Sequence, residues 1–397
     1  MKHSQAVLSA HNPAQQASAV AKALAGAASL AVAMGIGRFA FTPVLPMMLQ
    51  DAGLSIASGG WLASANYLGY LIGALSAMVL QVRPERAIHA GLLVIAAATL
   101  AMGGSDAFAV WVALRLVAGV ASAWVMISVS AWCLNTLAVY RRPFLNSLVF
   151  AGVGCGITAA GLLCIVLTQW QAGSVRAWAA LGLLALGVTA LIWRFFAHDD
   201  GEAARSAASP AAPTALVWNA DALRLVLCYG VFGFGYIIPA TFLPVMARNA
   251  LQGSAAFAWS WPTFGMAAVL STLVVAVLVR RWGNRRVWCF SHLLMAVGIV
   301  LPVWSQNFLS ILAAALCVGG TFMVITLAAL QEARRVAGPG ARMLIAAMTS
   351  AFAAGQIVGP LTVGAAAGGG GFATGLVLAA GLLAASALLL RKTPSGL

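Results

Sequence analysis

The chain has 397 residues, of which 62% are hydrophobic and 8% are charged. A soluble domain has about 45–50% apolar and about 25% charged residues, so this composition excludes an ordinary soluble protein. The net charge of +14 does not indicate a nucleic-acid partner, because the basic residues lie mostly at the ends of apolar segments and not in one patch.

The apolar segments predict an all-α membrane protein with twelve transmembrane helices in two six-helix bundles. Apolar stretches of about 20 residues, the length that crosses a bilayer, recur along the whole chain. Residues 1–19 lack the apolar run of a secretory signal, so we expect an uncleaved cytoplasmic tail. The predicted helices cover 20–49, 59–80, 87–104, 107–138, 144–168, 175–197, 221–247, 257–279, 287–304, 308–332, 343–367 and 371–390.

The first predicted helix contains GIGRFAFTPVLPMM from residue 35, which places Arg38 deep inside an apolar run. Arg38 lies 13 residues from Asp51, about 19 Å along a helix, too far for its side chain to reach the membrane surface. Thr42 lies one turn further on the same face. Pro43 and Pro46 disturb the helical hydrogen-bond ladder and predict a kink suited to a gate.

Helices two and four add polar side chains within apolar runs. In helix two, Asn66 and Tyr70 lie one turn apart on one face. In helix four, Arg115 lies 9 residues from Asp106, about 13 Å along the helix. A buried amide at such a depth contacts either a substrate or a neighbouring helix, and both possibilities stay open for Asn66.

A polar segment at 198–220, rich in Ala, Ser and Pro, separates two predicted bundles at 20–197 and 221–390. This composition is typical of a linker, which we expect on the cytoplasmic side. A second cytoplasmic tail is predicted at 391–397.

The second half repeats part of the first. GFGYIIPATFLPVM from residue 233 matches the segment from residue 35 at an offset of 198 residues and places Tyr236 at the position of Arg38. Tyr229 lies on the same helical face, seven residues earlier, while Pro239 and Pro244 predict a second kink. Such an offset indicates two parallel repeats.

The two arginines inside helices carry the functional argument. An arginine at the bilayer centre costs about 2.5–3.5 kcal/mol on insertion scales, so it faces a polar cavity or a partner. All eight acidic residues fall in loops or at helix ends, so no carboxylate is available to Arg38 or Arg115 at mid-membrane. Each arginine binds either an anion from outside the chain or the carbonyl groups of a helix end. Gln356, in helix eleven, is equally open between substrate contact and packing.

Neither a metal site nor a cofactor is expected. The six cysteines lie inside apolar segments and include no C-x-x-C pair. None of the five histidines is placed mid-helix, since His89 and His292 fall at predicted helix starts, so a buried histidine relay is not predicted.

The basic residues also predict the orientation. If both termini are cytoplasmic, only Arg176 and Arg248 among the basic residues near helix ends fall on the outer side. We therefore expect a multi-pass protein of the inner (cytoplasmic) membrane with both termini in the cytoplasm. Anionic lipid headgroups are the expected partners of the basic loops, and the protein is expected to be a monomer.

Twelve helices in two parallel repeats, with a long central loop and basic inner loops, resemble the major facilitator superfamily over essentially the whole chain. The strings GRFAFTPVLPMM, GGWLASANYLGYLIGAL and RLVAGVASAWVM resemble its YbfB/YjiJ branch. The resemblance implies alternating access by rocking of two bundles, with helices 1, 4, 7 and 10 around a central cavity. Arg38, Arg115 and Tyr236 would then lie on cavity-lining helices. The loop QVRPER after helix two departs from the family pattern, because it lacks the usual aspartate.

These features favour a secondary active transporter that moves a small or amphiphilic organic anion. The candidate substrate-binding residues are Arg38, Arg115, Thr42, Asn66, Tyr70, Tyr229, Tyr236 and Gln356. Because no buried carboxylate is available to carry a proton, transport would be coupled through protonation of the substrate or through anion exchange, or would proceed uncoupled by facilitated diffusion. The alternative is an exporter of hydrophobic or cationic compounds with the same fold, disfavoured because a cation site requires a buried acid. An enzyme is not indicated, since the chain has no H-E-x-x-H motif and no paired intramembrane aspartates.

Overall fold

The computed structural model describes residues 13–80, 82–138, 143–196, 218–251, 255–365 and 371–391. These residues are helical apart from short connections and include no strand. Most of the predicted linker, residues 1–12 of the first tail and residues 392–397 of the second tail lie outside the described residues.

The described chain supplies twelve membrane-crossing helices, as predicted. Eleven segments are long and apolar enough to cross a membrane, and the longest, Phe308–Ala365, consists of two helices separated by the turn Gly338–Gly340. The helices are α1 (Ala17–Asp51), α2 (Ile56–Val79), α3 (Pro84–Ala101), α4 (Phe108–Ala138), α5 (Pro143–Gln169), α6 (Ser174–Ile192), α7 (Ala220–Ala250), α8 (Ser260–Trp282), α9 (Asn284–Trp304), α10 (Phe308–Ala337), α11 (Ala341–Ala365) and α12 (Gly371–Arg391).

Helix α1 is not a uniform α-helix. The helical conformation begins at Pro13, before the membrane-crossing segment Ala17–Asp51. The chain is α-helical over Pro13–Leu30, π-helical over Ala31–Ile36 and α-helical again over Phe41–Asp51. The helical conformation therefore begins within the predicted tail at 1–19. Alanine and glutamine favour helix without being apolar enough to mark a membrane crossing, so hydropathy alone places the start too late.

Two faces of the helical bundle are defined by polar contacts at helix ends. On one face, α1 ends beside the start of α6, where Asp51 accepts hydrogen bonds from the Ser174 amide at 2.5 Å and the Ser174 hydroxyl at 2.7 Å. On the opposite face, Arg285 links Asp221 at the start of α7 to Glu332 near the end of α10. We name these the Asp51 face and the Glu332 face.

Glycines bring α2 and α4 into backbone contact. A Cβ atom on Gly119 of α4 would overlap the backbone carbonyl of Asn66, and one on Gly69 of α2 would overlap that of Leu116. Small residues at both crossing points therefore set the spacing of the two helices. This spacing brings Asn66 against the backbone of Arg115.

Gly119→Ala is expected to lower the melting temperature of the purified protein. The added methyl group forces the α4 and α2 backbones apart, and overpacking of this kind costs about 1–3 kcal/mol. Gly187→Ala in α6 is the matched control, because a Cβ atom there meets no other atom within 4 Å. Equal melting temperatures for the two variants in detergent would contradict the close α2–α4 packing.

Candidate substrate site

The site is built around the break in α1. The amide of Gly37 donates to the Val32 carbonyl at 2.9 Å, and the amide of Phe39 donates to the Met34 carbonyl at 3.0 Å. Both bonds span five residues, which is the π-helical spacing. Single π-helical turns inside α-helices occur frequently at functional sites.

Pro43 explains why the α-helical ladder is not resumed at once. Proline has no amide hydrogen to donate to the carbonyl four residues earlier, here that of Phe39, and its ring crowds that carbonyl. The amide of Thr42 instead bonds to the Phe39 carbonyl at 3.1 Å. The carbonyl of Arg38, the usual partner of Thr42 in an α-helix, is thereby left for another donor.

Arg115 supplies that donor. Its guanidinium donates to the carbonyl of Arg38 at 3.0 Å and to the carbonyl of Gly37 at 3.3 Å, and only 2% of its surface is exposed. The Asn66 amide donates to the Gly37 carbonyl at 3.2 Å and to the Arg115 carbonyl at 2.9 Å. Arg115 and Asn66 therefore hold the broken segment of α1 in place by its backbone.

The guanidinium of Arg38 has a different kind of partner. It donates to the side-chain oxygen of Gln356 in α11 at 2.5 Å, and the nitrogen of the same amide donates to the Tyr236 hydroxyl of α7. All three side chains are at least 98% buried. Arg38 thus carries a positive charge into the interior and meets a neutral acceptor from the other half of the chain.

Aromatic rings surround the same guanidinium. Its central carbon lies 4.1 Å from the ring centroid of Tyr70, 5.2 Å from that of Tyr67 and 5.5 Å from that of Phe39. Such distances allow attraction between the cation and the ring faces. These rings partly offset the burial of the charge but do not neutralise it.

A stack of rings continues from this cluster into the second half. Tyr236 lies between Phe322 and Phe352, with centroid distances of 5.8 Å and 5.7 Å and interplanar angles of 3° and 10°. Tyr229 also stacks on Phe352, with 5.0 Å between the ring centroids. The predicted tyrosines of α7 therefore belong to one apolar wall beside Arg38.

The two halves are hydrogen bonded to each other between this site and the Asp51 face. The Thr42 hydroxyl donates to the Ala240 carbonyl at 2.7 Å, and the hydroxyls of Tyr67 and Thr241 are 3.0 Å apart. Thr42 and Ala240 are separated by 198 residues, the offset of the sequence repeat. Equivalent positions of the repeats therefore meet between α1 and α7.

A cavity of ≈ 480 Å³ opens near the Asp51 face, where Arg248 of α7 bonds to the Pro46 carbonyl at 2.5 Å and to the Gln50 side chain at 2.7 Å. Pro43, Pro46 and Pro244 line this cavity. The helical assignment of α7 continues through Pro239 and Pro244. Bending at the four prolines during gating stays a prediction.

The described acidic residues lie at helix ends or in connections, as predicted, but Asp221 and Glu332 are only 8% and 1% exposed, so the expectation that no carboxylate is buried is wrong for these two. Ion pairs among the described residues cluster at the Glu332 face, where Arg285 and Arg335 both bind Glu332 and where Arg285 and Arg224 both bind Asp221. No ion pair within the described ranges involves Arg38 or Arg115.

The chain matches a known transporter family over most of its length. A family model described as an uncharacterised MFS-type transporter, YbfB, matches residues 30–391. The chain belongs to this transporter family. The resemblance read from the sequence is thereby confirmed, and the YbfB-family protein is a multi-pass membrane transporter and not an enzyme.

Two further similarities are weaker. A chloramphenicol resistance protein of Streptomyces lividans is 36% identical over 93 residues, which are 23% of this chain and 24% of that protein. The matched region therefore spans about a quarter of that relative. The crystal structure of a mutant of the nucleoside transporter NupG has a TM-score of 0.74 and 13% identity, covering 94% of this chain and all of that one. At this identity the second similarity shows the fold alone.

The predicted site residues of the YbfB-family transporter fall into distinct places. Tyr70, Tyr236 and Gln356 surround the Arg38 guanidinium. Arg115, Asn66 and Thr42 instead bond to helix backbones, and Tyr229 lies further along the ring wall. Sequence reasoning missed Tyr67, Phe322 and Phe352 in this cluster. The position of Phe322 on the tenth helix, which the family resemblance placed at the cavity, was the available signal.

Proposed function

We propose that this YbfB-family protein is a secondary active transporter that carries a small or amphiphilic organic anion across the inner membrane, with the anionic group bound to Arg38. The observation that supports this proposal is a guanidinium that is 98% buried and whose acceptor among the described residues is a neutral amide.

The charge balance around Arg38 favours an anionic substrate. An unpaired cation inside a membrane protein is costly, and such residues typically mark substrate or ion paths. The Nε atom of Arg38 is also buried without a hydrogen-bond partner among the described residues. A carboxylate could accept from two guanidinium nitrogens at once, which neither Gln356 nor a ring does.

The surroundings of Arg38 favour a substrate with an apolar part. Tyr70 and Tyr67 flank the guanidinium, and the Tyr236 stack continues the same surface. Rings of this kind bind apolar and planar groups while their hydroxyls remain available for hydrogen bonds. We assign Arg115 the separate role of holding the α1 backbone. Arg38 then binds the anion, and Arg115 positions Arg38.

Alternating access would proceed by movement of bundle 20–197 against bundle 221–390. Separation of α1 from α7 would break the bond from Thr42 to Ala240 and expose Arg38 to the Asp51 face. The distribution of basic residues supports an orientation with the Glu332 face in the cytoplasm. A monomer that contacts anionic headgroups through its basic loops stays our prediction.

A binding screen on the purified protein tests the charge class. We expect benzoate and hexanoate to raise the melting temperature, whereas tetraphenylphosphonium, uridine and chloramphenicol do not. The last two probes represent the nucleoside and the drug in the names of the similar proteins. Stabilisation by tetraphenylphosphonium or chloramphenicol, without an effect of either carboxylate, would favour an exporter of hydrophobic or cationic compounds instead.

A further inference from the structure

Gln356 connects the two halves at the substrate site. Its oxygen accepts from Arg38 of α1, and its nitrogen donates to Tyr236 of α7. Only 1% of its surface is exposed. Both ends of the amide are therefore used, which fixes the oxygen toward the guanidinium.

An amide oxygen resembles a carboxylate oxygen in size and in its two lone pairs but carries no net charge. At 2.5 Å from the Arg38 nitrogen, it takes the position that an oxygen of a bound carboxylate would take. The guanidinium is the charged partner in either bond, but a carboxylate adds an opposite charge and can accept from two guanidinium nitrogens at once, so it would displace the amide. An empty site, in contrast, would keep it.

We propose that Gln356 is the internal stand-in for the substrate anion. It gives Arg38 an acceptor when no anion is bound and yields when one arrives. An empty carrier in which Arg38 keeps this acceptor can close around its site and return, so that transport does not require exchange of one anion for another. The exchange argument rests on the proposed function, but the closure of the empty protein does not.

The competing explanation is that Gln356 merely packs α11 against α1. Packing depends on volume and apolar contact, so leucine would replace glutamine with little effect on the closed state. The stand-in role depends on the oxygen, so Gln356→Leu would leave Arg38 buried without an acceptor, while Gln356→Glu would give it a permanent counterion.

Distances between spin labels on the purified, substrate-free protein separate the two explanations. One label pair at Ala107 and Gln306 reports on the Asp51 face, and a second pair at Arg86 and Arg286 reports on the Glu332 face. All four side chains are exposed. We expect Gln356→Leu to reduce the population with both distances short by about tenfold or more, because an uncompensated buried charge disfavours closure.

Gln356→Glu is expected to keep both distances short, and Gln331→Leu, at an exposed position of α10, is expected to match the unmodified protein. Distance distributions that are the same for Gln356→Leu and the unmodified protein would overturn the proposal. Because the measurement uses no substrate, it can succeed or fail independently of the anion-binding screen.

Discussion

Arg38→Met is expected to abolish anion transport without destabilising the protein. Loss of one partner of a buried charge pair costs about 2–5 kcal/mol, or roughly 30- to 5,000-fold in affinity. The uptake of a carboxylate identified in the binding screen into proteoliposomes measures the loss. Arg38→Lys keeps the charge but not the planar donor pair, so we expect intermediate uptake.

Stability separates this role from a structural one. Methionine removes a buried cation, which offsets the cost of about 1–3 kcal/mol for leaving the Gln356 oxygen without a donor. The melting temperature should therefore stay near that of Arg176→Met, a control that removes an exposed arginine. A large fall in melting temperature, with the anion response of the remaining folded protein intact, would contradict the assignment of Arg38 to the substrate.

Arg115→Met, in contrast to Arg38→Met, is expected to destabilise the protein. It leaves the Arg38 carbonyl without the donor at 3.0 Å and removes one of the two donors to the Gly37 carbonyl. Each buried acceptor without a partner costs about 1–3 kcal/mol. The charge of Arg115 is already solvated by two carbonyl groups, whereas that of Arg38 has one amide acceptor, so removing the Arg115 charge offsets less of this cost and the free energy of unfolding should fall. Denaturation in detergent and thermal melting both measure this change.

Arg115→Lys provides the graded control for this prediction. The single ammonium group of lysine can bond to only one of the Gly37 and Arg38 carbonyls. The stability of the Arg115→Lys variant should therefore lie between those of the unmodified protein and Arg115→Met. If Arg115→Met instead matched the unmodified protein in stability and lost only anion binding, Arg115 would be a substrate ligand and not a support of the α1 backbone.

Hydropathy was sufficient to predict where the helices lie. The predicted segments 144–168 and 308–332 correspond to Pro143–Gln169 and Phe308–Ala337, because apolar residues must stay within the lipid and polar ones mark its edges. The end of α10 extends beyond the prediction, since a helix continues past the membrane surface as long as its backbone bonds are satisfied.

The local geometry of the site was not predictable in the same way. From the sequence, the partner of Arg115 could be either an external anion or helix carbonyls. Only the folded structure brings the Gly37 and Arg38 carbonyls within its reach. The π-helical turn before them depends on these tertiary donors as well as on Pro43. A proline indicates that a helix is disturbed but not how the freed carbonyls are paired.

Contacts between residues far apart along the chain could not be predicted either. Arg38 and Gln356 are 318 residues apart, and no local pattern relates them. His292, predicted to lie at a helix start and outside any buried histidine relay, is fully buried and accepts a hydrogen bond from Trp288 at 2.8 Å. It lies two turns inside α9 because that helix begins at Asn284, three residues earlier than predicted.

A π-helical turn holds about one residue more than an α-helical turn. At Thr42 and at Gln50, α1 keeps the repeat offset, because these residues contact Ala240 and Arg248. Since one residue of an α-helix turns by about 100°, we expect residues before Ala31 to be rotated by about that angle relative to their α7 counterparts at the same offset. A chimera that joins the first part of α7 to the second part of α1 would therefore need a one-residue insertion or deletion to keep its lipid-facing surface in contact with lipid.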